Sequence, residues 1–119
     1  MAELYFLGEH GDTEEQKLAS LSLCRIASWD IQVFPLTSLQ LGIAWRLAAA
    51  VIARGLLPEN EINDSRIRAE TSVAAIPLLV SSDRHLLDMD PDALQAACAE
   101  ADLPSTFIAS PRRLLRALR

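Results

Sequence analysis

The sequence predicts an α/β domain with a mainly parallel sheet. Three observations carry that prediction. Short β-type runs at 31–37, 77–82 and 106–110 alternate with segments whose apolar residues recur at helical spacing. The middle run is continuously apolar through Leu78, Leu79 and Val80, the pattern of a strand covered on both faces of a parallel sheet. With 119 residues, half of them hydrophobic, the chain is long enough for one domain over 1–119 around a single core.

The elements follow in order. Residues 2–10 read as a helix bounded by Gly8 and Gly11. Asp12 or Thr13 caps a second helix, with Glu14, Glu15 and Gln16 in its first turn and Leu18, Leu21 and Ile26 on its apolar face. The run 31–37 reads as a strand that ends in a turn. Ser38 is placed to cap the next helix, in which Leu41, Ala44, Ala48, Val51 and Ile52 recur until Gly55 stops it. Asn60 is placed to cap a helix over about 61–74. The strand after Pro77 follows, then a short turn or helix around His85. Asp90 and Pro91 start another helix, 106–110 is a last strand, and Pro111 opens a closing helix.

Composition narrows the class. No apolar run approaches the ~20 residues that span a bilayer. The N-terminus lacks a basic segment followed by an apolar core. These features lead us to expect a cytoplasmic protein with no membrane role. Cys24 and Cys98 are the only cysteines and read as two buried thiols; His10 and His85 read as surface residues. The net charge of −5 argues against nucleic-acid binding through a uniformly basic surface. The charge is uneven, however. Acids crowd between Glu59 and Asp102, while Arg112, Arg113, Arg116 and Arg119 close the chain. That basic end suits a helix C-terminus and its dipole, or contacts with phosphate or a partner.

Two carboxylates stand out. Asp64 falls in the first turn of its helix, where the dipole favours an anion. Asp83 directly follows the strand, and ligands of open α/β sheets bind beyond the carboxyl ends of strands. Two acids at one sheet edge can hold a hard cation through oxygen ligands, and the cation can activate water. Both positions also arise for local reasons, since either acid can accept hydrogen bonds from free backbone N–H groups.

Asn63-Asp64-Ser65-Arg66-Ile67 with Ala69-Glu70, then Leu79 through Leu86 with its Ser81-Ser82-Asp83 core, and Ile108-Ala109-Ser110-Pro111 together resemble the PIN-domain family of metal-dependent nucleases. Ala2-Glu3-Leu4 is similar to the family's helical glutamate segment. The resemblance implies a layered α/β/α fold. It implies Asp64, Asp83 and Glu3 as catalytic ligands of Mg²⁺ or Mn²⁺, with Asn63 and Ser82 assisting at the metal or substrate. It further implies hydrolysis of RNA phosphodiesters and, as in the VapC-like toxins, an antitoxin protein as partner. The family's opening strand and first aspartate have no counterpart before Ala2. The chain therefore reads as an N-terminally truncated form. An open sheet edge of that kind leads us to expect a homodimer, or a catalytically impaired module that acts through protein–protein contacts. Other chemistries find less support. A phosphotransfer receiver needs a downstream lysine, and the only lysine is Lys17. The four glycines are isolated, so no phosphate-cradling loop is present, and no nucleophile elbow appears.

Overall fold

The computed structural model describes the backbone of residues 2–119 and side-chain surroundings from Leu4 onward. Where the sequence was read as one domain, the chain divides into two compact units, Met1–Pro35 and Leu36–Arg119.

The first unit is a helical hairpin of α1 (Ala2–His10) and α2 (Thr13–Ser28). The turn between them depends on Gly11. Its N–H donates to the Leu7 carbonyl at 3.0 Å. A β-carbon there would lie 2.5 Å from that same carbonyl oxygen, so no other residue fits without displacing backbone. Asp12 then caps α2. Its Oδ1 accepts from the N–H groups of Glu14 and Glu15, each at 2.9 Å, and the Glu15 carboxylate takes the Asp12 N–H in return. Among the described residues of this unit only Ala19 is buried. The expected strand at 31–37 does not form; the segment has no regular structure. Ile31 and Val33 are exposed and no strand pairs with them. β-Propensity expresses fit to a half-buried pleated surface, so without a neighbour these residues gain nothing from extension.

The second unit opens on α3 (Ser38–Ala53). Thr37 caps it rather than Ser38. A reciprocal box needs a glutamine or glutamate three residues on; Gln40 meets that for Thr37, whereas Ser38 would find Leu41. Ala44, Leu47, Ala48 and Val51 form the buried stripe. Gly55, at φ +71°, turns the chain out of the helix. A 3₁₀ turn at Glu59–Glu61 runs directly into α4 (Ile62–Val73). No extended residue separates them, so the expected Asn60 cap is not made; Asn60 Nδ2 donates to Glu61 instead. The helix α4 lies against α3 through small side chains, and Ser65 Oγ donates to the Ala48 carbonyl at 2.9 Å.

The two strands β1 (Leu78–Val80) and β2 (Phe107–Ala109) pair in parallel, with Leu79 opposite Ile108. Between them run α5 (Arg84–Leu87) and α6 (Pro91–Glu100), the latter capped by Asp90. The last helix, α7 (Pro111–Ala117), is capped by Ser110. The unit is thus α/β in class, mostly helical with a small parallel sheet. Its core gathers Leu47, Val51, Leu57, Leu86, Leu94 and Cys98. β1 is not covered on both faces as its sequence predicts: Leu78 and Leu79 are half-buried and Val80 is exposed. The thiols divide as well. Cys98 is buried, but Cys24 is exposed on α2, where nothing in its unit covers it. His10 and His85 are both exposed. Among the described residues no helix is long and apolar enough to cross a membrane.

Candidate functional site

Asp83 is held at the carboxyl edge of the sheet by a short chain of hydrogen bonds. The Ser81 N–H donates to the Ala109 carbonyl at 3.0 Å, which ties the loop after β1 to the end of β2. Ser81 Oγ accepts the Asp83 N–H at 3.0 Å. Asp83 Oδ1 accepts the His85 N–H at 2.7 Å and so caps α5. The carboxylate is half-buried, and its Oδ2 lies outside the capping bond. Ser82, expected near a metal or substrate, is exposed and makes the outer corner of this turn. The anchoring hydroxyl belongs to its neighbour Ser81.

Asp64 occupies the first turn of α4 and is half-buried; Asn63 beside it is exposed. A contact joins the two segments. His85 Nε2 lies 3.8 Å from Glu61 Oε1, linking the start of α5 to the turn that leads into α4. Asp64 stands three residues after Glu61, and Asp83 stands two before His85. The sequence reading does not single out Glu61, and it places His85 only as a surface residue. The only signal was their nearness in the chain to the two aspartates. Asp88 and Asp90 are exposed, and Asp90 is committed to capping α6 through the Asp92 N–H at 3.0 Å. Glu3 lies in α1, but its side chain falls outside the described residues. Among the described residues no three His, Cys, Asp or Glu side chains converge to hold a metal ion.

Behind Asp64, on the inner face of α4, the core is polar. Ser65, Arg68 and Ser72 are fully buried. Arg68 Nη2 donates to Ser72 Oγ at 3.3 Å and to Cys98 Sγ at 3.0 Å. Its Nε and Nη1 are buried and have no hydrogen-bond partner among the described residues. Ser72 Oγ in turn lies 3.3 Å from Thr106 Oγ1, which donates to the Ile76 carbonyl. A buried guanidinium with no ion-pair partner among the described residues is costly. Hydrophobic periodicity misses this face because its inward positions are serine, threonine and arginine.

The basic closing helix is solvent-facing. Arg112, Arg113, Arg116 and Arg119 are all exposed, and the Arg113 guanidinium lies 5.1 Å over the Phe107 ring.

No family model, characterised protein or solved structure matches this chain.

Proposed function

We propose that this chain is a PIN-like module of a metal-dependent ribonuclease, with Asp64 and Asp83 as a pair of carboxylate ligands for Mg²⁺ or Mn²⁺. The observation that carries the reading is the fixed position of Asp83 at the carboxyl edge of a parallel strand pair, on a turn beside the start of the helix that bears Asp64. The donors suit a hard cation: both are carboxylates, and Asp83 keeps Oδ2 free of its capping bond. Such an ion supplies an activated water and stabilises charge on an attacked phosphodiester. The chain's own part is to hold the two acids. Ser81 fixes the Asp83 backbone, the dipole of α4 favours an ionised Asp64, and Asn63 flanks it at the surface. RNA is the proposed substrate. A layered PIN-like fold, a toxin role and an antitoxin partner belong to the same proposal.

The test is Mn²⁺-dependent cleavage of a structured RNA by the full chain, beside an Asp64→Asn/Asp83→Asn double variant. The expected result is cleavage by the wild type that the double variant loses. A folded wild type that neither cleaves RNA nor binds Mn²⁺ by calorimetry overturns the reading.

Two observations favour a second reading, an interaction module without catalysis. Asp83 already serves as a helix cap, and the strands leave Val80 and Phe107 exposed, at 43% and 55%. In that case the Asp83→Asn change affects stability alone.

A further inference from the structure

The hairpin of α1 and α2 leaves several of its large apolar side chains in solvent. On α2, Leu18 and Leu21 are each 64% exposed and Trp29, at its C-cap, is 65% exposed. With Ser22, Arg25 and Ile26 they line one shallow groove along the helix. A unit of this size buries too little of its own surface for stability, and chains below ~40 residues usually recruit oligomerisation, metals or disulfides. Here the two cysteines are free.

The charges flanking the stripe identify what fits it. Glu14 and Arg25 each stand four residues outside the Leu18–Leu21 pair, at opposite ends, and both are exposed. Residues four apart share a helix face. The stripe therefore reads Glu14, Leu18, Leu21, Arg25, and it is complementary to its own reverse. Two copies laid antiparallel place Leu18 against Leu21 at both inner positions and Glu14 against Arg25 at both outer ones. A parallel arrangement sets Glu14 against Glu14 and Arg25 against Arg25. The helix dipoles also oppose favourably only when antiparallel. We propose that α2 is the interface of a two-fold symmetric homodimer, in which the Leu18–Leu21 pairs form the dry centre and two reciprocal Glu14–Arg25 pairs set the direction. Each subunit uses the same patch, as a two-fold interface requires. Trp29 lies at the rim of this contact and reports on it.

The experiment measures the association constant of the full chain by sedimentation equilibrium, with circular dichroism as a check on helix content. Glu14→Arg and Arg25→Glu each place like charges face to face and are expected to weaken association at least ~10-fold. The double swap restores opposite charges and is expected to return to within about threefold of wild type. Both swaps oppose the dipole of α2 itself, so recovery in the double variant cannot come from a more stable helix. Leu21→Asp is expected to give a monomer of unchanged helicity. In a Trp45→Phe background, Trp29 emission is expected to shift to the red on dilution. A wild type that stays monomeric at high concentration overturns the proposal. So does a dimer that ignores Leu21→Asp, or one that both swaps weaken and the double variant fails to rescue.

Discussion

Helices α2 and α3 are both rich in alanine and leucine, yet the pairs they belong to treat those residues in opposite ways. In α3–α4, Ala44 and Ala48 on one helix and Ser65, Ala69 and Ser72 on the other are all essentially inaccessible to solvent, and Ser65 bonds the Ala48 carbonyl across the pair. Small residues on both sides bring the helices close, and the larger Leu47 and Val51 on the same face of α3 reach the core with Leu94 and Cys98. In α1–α2 only Ala19 is buried among the described residues, while Leu18 and Leu21 on the next positions of the helix remain in water. Apolar composition therefore does not distinguish a core helix from an interface helix. What distinguishes them is whether the chain supplies a second face of matching shape.

The largest test of that contrast is a pair of leucine truncations. Leu94→Ala, in the packed unit, is expected to cost about 2–5 kcal/mol in urea unfolding, because it removes buried methyl groups and leaves a cavity. Leu18→Ala is expected to shift the monomer's stability by no more than about 0.5 kcal/mol, as for exposed positions generally, and to act on association instead. Equal effects at the two sites remove the distinction between the units.

Arg68 gives the next largest effect, with the opposite sign. Replacing a buried, incompletely paired cation by an apolar side chain of similar length relieves its desolvation. Arg68→Met is expected to raise the urea midpoint by about 1–3 kcal/mol equivalent. A clear loss of stability on that change assigns the guanidinium a partner that its buried Nε and Nη1 do not show.

Two smaller changes probe the helix ends. Asp12→Ala removes the cap of α2 and is expected to lower stability by about 1 kcal/mol, visible as lost helicity in the hairpin. Ala75, in contrast, holds a left-handed φ of 55° after α4, where the Ile76 N–H returns to the Thr71 carbonyl. A β-carbon is strained there, so Ala75→Gly is expected to stabilise by about 0.5–1 kcal/mol in the same unfolding assay.

The local signals in the sequence were reliable where the physics is local. Asp12, Asp90, Pro91 and Pro111 mark helix starts because their side chains or rings act within one turn of chain. The runs at 77–82 and 106–110 were legible as strands, which form over 78–80 and 107–109, and their parallel pairing followed from the helices between them. Asp64 and Asp83 were likewise placed correctly on a first turn and just after a strand. The cap at Thr37 rather than Ser38 was also in the sequence, in the spacing to Gln40.

What the sequence alone determined, then, is the order of elements after residue 37, their caps other than the one expected of Asn60, and the positions of the two aspartates on them, because each depends on neighbours within a few residues. Tertiary structure decided the rest. It left 31–37 without a strand partner, exposed Cys24 while burying Cys98, and made Ser81 rather than Ser82 the anchor of Asp83. It also turned Arg68 inward on a polar face. Each of these outcomes depends on which distant surface covers a residue. Burial, unlike a cap or a turn, is not a property of the chain near it.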